Sequence, residues 1–164
     1  MNIGTRLLIF LSFFVQSTVY ATDSLTVKTI GMELARDIAN ESVIACRKKG
    51  YQVSAVVVDR NGLIQAALRD DLASRFTLQI AEEKANTAIL SGIDSGELRK
   101  ARNDIRPELN HMDGIIIMRG GVPIEIAGAK IGAIGVSGAP GGDKDELCAK
   151  QALDSLSDRI DFAE

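Results

Sequence analysis

The spacing of apolar residues changes several times along this chain, and each change marks an element. Val27, Ile30, Leu34 and Ile38 recur at helical intervals, with Ala35 and Ala39 beside them. Ser24 or Thr26 can cap the start, and Arg47, Lys48, Lys49 and Gly50 suit the end of such a helix. The pattern predicts a long first helix ending near Lys49. Residues 53–59 are rich in β-branched side chains and read as a strand. Asn61-Gly62 is a strong hairpin turn because both residues tolerate positive φ, and residues 63–69 return as a second strand. Leu78, Ala81, Ala85, Ala88 and Ile89 define a second helix closed by Gly92, and Ser95 can cap a short third one over residues 96–103.

Residues 105–113 read as a loop containing Pro107. Residues 115–118 (Ile-Ile-Ile-Met) form an apolar run consistent with a third strand. Val122, Ile124 and Ile126 then alternate with Pro123, Glu125 and Ala127, the period of a half-buried strand, and residues 130–136 return as a short apolar one. Gly132 and Gly135 lack side chains, so another backbone or a flat ligand can approach there. The last helix is expected over residues 143–159. Hairpin-like strand pairs, with helices before, between and after them, predict an α+β fold. It has an antiparallel sheet of about five strands packed with helices, not a doubly wound parallel sheet.

The first residues stand apart from this pattern. Arg6 precedes a largely apolar run over residues 7–14, and Val19-Tyr20-Ala21 ends on a small residue. Residues 1–21 therefore read as a secretory signal peptide, leaving residues 22–164 as a single domain that is periplasmic or secreted. The apolar run is short and polar Gln16, Ser17 and Thr18 interrupt it, which favours cleavage over a retained anchor. Without Arg6 the chain carries 18 basic and 22 acidic residues, a formal charge of −4. Mixed charge, no long basic run and no tryptophan argue against nucleic acid or an anionic membrane as partner. Cys46 and Cys148 are the two cysteines; in an oxidising compartment they are either a disulfide or two buried small hydrophobes.

Three pieces of sequence carry a family resemblance. Gly120-Gly121-Val122-Pro123-Ile124 opens one strand. Residues 131–138 (Ile-Gly-Ala-Ile-Gly-Val-Ser-Gly) close another. Gly141-Gly142-Asp143-Lys144-Asp145-Glu146 leads into the last helix. Upstream, residues 56–62 and Lys84-Ala85-Asn86-Thr87-Ala88 fit in the same order. Together these resemble the GlcG/HbpS family, haem-binding-protein-like domains also found at the C-terminal end of PduO-type adenosyltransferases. The resemblance covers essentially the whole mature chain. It implies a profilin-like or PAS-like fold, a homo-oligomer and, as in some members, haem as cofactor.

On that reading His111, the sole histidine, is the candidate ligand to haem iron, with Met112 beside it as a possible second ligand. Arg106, Arg119 and Lys130 are candidates for the propionates. Lys84 either faces a pocket or snorkels beside Glu83. Cys46, Met32 and Met118 are weaker ligand candidates, since packing explains each. The backbone N–H groups of Gly141, Gly142 and Asp143 form an anion-binding candidate at a helix start, although Asp143, Asp145 and Glu146 can satisfy that end themselves. The same loop is not a Walker A sequence, because Asp143 precedes Lys144 and Asp145 holds the hydroxyl position. Residues 135–139 lack the helix that a nucleophile elbow needs directly after its serine, so Ser137 is a poor nucleophile. No catalytic residue is assigned. Haem binding leads; the alternatives are a small organic-acid binder or enzyme using the 138–144 loop with Lys84, and an oligomeric accessory subunit.

Overall fold

The computed structural model describes residues 24–162, so the expected leader lies outside the described residues. Strand β1 (Ser54–Asp59) is buried at every position, and this sets the architecture. A strand with two apolar faces needs a layer on each side. Helices α1 (Met32–Arg47) and α5 (Gly142–Ser155) supply one layer, and α2 (Phe76–Ser91) supplies the other. The sheet between them also contains β2 (Ile64–Arg69), β3 (Gly121–Ile126) and β4 (Ala129–Ser137). Its order is β2-β1-β4-β3, with every neighbouring pair antiparallel. Helices α3 (Ser95–Ala101), α4 (Arg106–Leu109) and α6 (Ser157–Asp161) complete the described elements.

Alternate residues of the two central strands serve the two layers. Ala55 and Val57 of β1, with Ile134 and Val136 of β4, pack into the core that α1 and α5 cover. Val56, Val58 and Ala133 pack against Ala81, Ala85 and Ala88 of α2. Each fully buried valine or isoleucine contributes roughly 1.5–3 kcal/mol, so the central strands hold much of the stability. The α2 layer is built from alanines because its backbone lies almost on the sheet. A Cβ at Gly135 would stand 1.9 Å from the Ala81 carbonyl oxygen, and one at Gly121 would stand 1.9 Å from that of Lys84. The bare glycines thus admit a helix backbone.

Among the described residues the sheet has four strands rather than about five, and the expected strand over residues 115–118 is an irregular segment outside it. Its polar backbone is held by a side chain. Thr87 Oγ1 on α2 accepts from the Ile116 amide at 3.1 Å, and its one proton is shared between the carbonyls of Glu83 at 2.8 Å and Ile116 at 2.9 Å. Ile117 alone of the four is fully buried. The first helix begins later than its apolar spacing predicts. Gly31 is extended at φ −83° and ψ 155°, and the Ile30 amide donates to the Ile131 carbonyl. Val27 and Ile30 therefore precede the helix. The expected last helix divides at Leu156 into α5 and α6. A four-residue helix, with Pro107 in its first turn, forms within the expected 105–113 loop.

Candidate functional site

Helix α3 separates two surface hollows of opposite character. Gly96, Arg99 and Lys100 line one, and Leu98 and Ala101 line the other. These sets are offset by two residues, about 200° around a helix, so they occupy opposite faces. The apolar hollow holds about 400 Å³ and is completed by Leu90, Ile93, Arg102, Ile105, Leu109 and Met112. That volume lies within the roughly 300–1,000 Å³ of small-molecule sites. The basic hollow holds about 570 Å³ and is completed by Asn103, Arg106 and Arg119. The short α4 belongs to both, since Arg106 lines the basic side and Leu109 the apolar side.

The walls are tied to the rest of the fold by buried and part-buried polar contacts. Ser95 Oγ, at the start of α3, accepts from the Gly121 amide of β3 at 2.9 Å. Asp94 pairs with Lys150 of α5 at 2.6 Å, and Lys150 also reaches Glu146 at 3.1 Å. Arg119 holds Glu146 through Nε at 3.1 Å and Nη2 at 2.9 Å. Burial opposes the charge on Glu146, but hydrogen bonds from Arg119 and Lys150 outweigh it and hold the carboxyl below its ordinary range. Two glycines leave room for Arg119. A Cβ at Gly96 would lie 2.8 Å from its Nε, and one at Gly142 would lie 2.7 Å from its carbonyl oxygen.

Lys84 is not at either hollow. Its side chain is 1% exposed and its Nζ donates to Asp145 Oδ2 at 2.7 Å and to the Val136 carbonyl at 2.9 Å. Asp145 Oδ1 accepts in turn from the Ala139 amide at 2.9 Å. Burial pushes the Lys84 amine down and the Asp145 carboxyl up, while each partner opposes the other's shift. Gly141, Gly142 and Asp143 stand at the start of α5, where Asp145 turns its carboxylate back onto the preceding loop.

His111 and Met112 follow α4, and both are exposed. Met112 lines the apolar hollow, whereas Arg106 and Arg119 line the basic one. The proposed haem residues are thus divided between two sides of α3. Cys46 of α1 and Cys148 of α5 form a disulfide, with Cα atoms 5.4 Å apart. Sequence reasoning missed Arg99 and Lys100 as site residues, and missed Asp145 and Glu146 as partners of Lys84 and Arg119. The pairs join positions 61 and 27 residues apart, so no local spacing announces them.

A helix–sheet–helix arrangement with an open apolar hollow beside a cationic one defines an α+β fold with two candidate binding surfaces. Comparison places it more narrowly. The chain belongs to the HbpS-like family, described as "Haem degrading protein HbpS-like", which matches residues 30–154. Escherichia coli (strain K12) protein GlcG is 30% identical over 108 residues, 66% of this chain and 81% of GlcG. The crystal structure of a double mutant of Streptomyces reticuli HbpS superposes with a TM-score of 0.78 at 32% identity, covering 88% of this chain and 99% of that one. The crystal structure of a PduOC–haem complex shares the fold, with a TM-score of 0.69 at 21% identity over 77% of this chain and 94% of that one.

Proposed function

We propose that this protein binds haem in the apolar hollow between α3 and α4. The observation that carries the reading is the lining of that hollow. Leu90, Ile93, Leu98, Ala101, Ile105 and Leu109 offer a hydrocarbon surface, with Met112 and Arg102 also in the lining, and Arg102 Nε reaches Asp104 at 3.3 Å. An apolar macrocycle with carboxylate side arms matches that combination. The family description and the haem carried by the PduOC structure support the same ligand.

In this reading His111, which adjoins the lining residue Met112 without itself lining the hollow, would supply the imidazole to the iron, Met112 would pack against the macrocycle, and Arg102 would meet a propionate. Bound haem would supply iron chemistry; the chain's own residues bind it, orient it and shield one face from water. The homo-oligomer that the family resemblance implies would let a second copy of the chain cover what one copy leaves exposed. We also propose that the protein works outside the cytoplasm. The disulfide between Cys46 and Cys148 supports export, because such bonds persist in oxidising compartments.

Titration of haemin into the mature protein, followed at the Soret band, tests the reading. A saturable one-to-one spectrum, lost in His111→Ala, is the expected result. Retention in His111→Ala with loss in Met112→Ala would keep haem and move the ligand. No saturable spectrum in the wild-type protein would end the haem reading.

A further inference from the structure

We propose that the basic hollow on the opposite face of α3 is a separate binding site for a small dianion, a dicarboxylate or a phosphate ester. Four cationic side chains, Arg99, Lys100, Arg106 and Arg119, line it together with Asn103 and Gly96. Two of the cations already have carboxylate partners. Lys100 pairs with Glu97 at 2.9 Å, and Arg119 with Glu146 at 2.9 Å. Arg99 and Arg106 form no ion pair among the described residues. Two uncompensated guanidinium groups in one concavity match a ligand that carries two negative charges.

The hollow also has a fixed wall. Arg119 is clamped by its two hydrogen bonds to a buried carboxylate and is seated against Gly96 and Gly142. Those bonds engage Nε and Nη2, which leaves Nη1 free as a preorganised donor. A planar guanidinium suits carboxylate and phosphate oxygens alike, and Asn103 adds a neutral donor and acceptor. A volume of about 570 Å³ fits a small molecule. A chain with a net charge of −3 has no general attraction for anions, so binding would depend on the local positive charge of the hollow.

The site does not rest on the haem reading. The two hollows lie on opposite faces of α3, so a macrocycle seated beside Leu98 leaves Arg99 and Lys100 uncovered. Calorimetric titration of the haem-free protein at low ionic strength tests the proposal, with succinate, inorganic phosphate and acetate as probes. Saturable one-to-one binding of succinate or phosphate, at least tenfold tighter than acetate, is expected. Whichever dianion binds more tightly identifies the carboxylate or the phosphate source. Arg99→Gln and Arg106→Gln should each weaken binding about tenfold, the loss of one charge-assisted contact. Lys48→Gln, at the C-cap of α1 and outside this lining, should leave it unchanged. Equal binding of acetate, or full binding by the Arg99→Gln/Arg106→Gln double variant, would overturn the proposal. So would displacement of the anion by haemin, which would make this hollow the propionate end of the haem site. The haem-free titration stands even if haemin does not bind.

Discussion

Lys84 and Asp145, 61 residues apart, meet as a buried ion pair at 2.7 Å, and through it α2 is joined to the start of α5 past the end of β4. Breaking such a pair leaves one charge without a partner in a site that water does not reach. Lys84→Met should therefore destabilise the fold by about 3–5 kcal/mol. The Lys84→Met/Asp145→Asn double variant should cost less than the single one, because neither charge remains buried. Urea unfolding of both variants measures this. A double variant no more stable than Lys84→Met would show that the charge is not what matters.

Acid should weaken the fold through its well-paired carboxylates. Two hydrogen bonds from Arg47 hold the Asp70 carboxyl below its ordinary range, and Arg119 and Lys150 do the same for Glu146 against its burial. A carboxyl with a lowered folded pKa binds its proton more readily when unfolded, so its contribution is present above about pH 4–5 and is lost as pH falls through the folded value. Unfolding midpoints measured from pH 6 to pH 2.5 should fall over that range. Asp70→Asn should start lower at pH 6 and show a shallower decline.

The Cys46–Cys148 bond closes a loop with a sequence separation of 102 between α1 and α5. Closing a long loop chiefly restricts the unfolded chain. Cys148→Ala should therefore cost about 2–5 kcal/mol. Thermal unfolding with and without dithiothreitol checks it: the reductant should lower the wild-type midpoint and leave that of Cys148→Ala unmoved.

Much of this architecture is legible in the sequence. The helical repeat of Leu34 and Ile38, the Asn61-Gly62 turn and the alternation from Val122 to Ile126 each mark elements that form. Composition alone does not separate a sheet strand from an irregular segment. Residues 115–118 look like a strand, yet Ile116 bonds through its backbone to Thr87, a partner 29 residues away, and the Met118 amide turns back to the Ile116 carbonyl. The start of α1 was obscured for a similar reason, because Ile30 gives its amide to Ile131. The site is less legible than the fold. The spacing of Gly96, Arg99 and Lys100 against Leu98 and Ala101 is visible in the sequence, but which face meets which neighbour depends on where Arg106, Arg119 and Met112 return.

Gly135 and Gly121 offer a steric test of the α2 contact. A Cβ at either position would lie 1.9 Å from a helix carbonyl oxygen, far inside contact distance, and backbone cannot rotate aside as a side chain can. Gly135→Ala should destabilise by about 3 kcal/mol or more, at or beyond the usual cost of overpacking. Gly50→Ala makes a useful contrast. A Cβ there meets nothing within 4 Å, so its cost comes from a φ of 80° alone. Chemical denaturation should rank the two in that order.

Helix α3 is seven residues long, shorter than the roughly 12–15 that even a favourable isolated helix needs in water. Its shape therefore comes from outside itself: from Ser95 holding the Gly121 amide, and from Asp94 holding Lys150. The two hollows share this one partition, although each has further walls of its own. A loosening at the edge of β3 or along α5 would blur both surfaces together, and an occupant that stiffens one face stiffens the other.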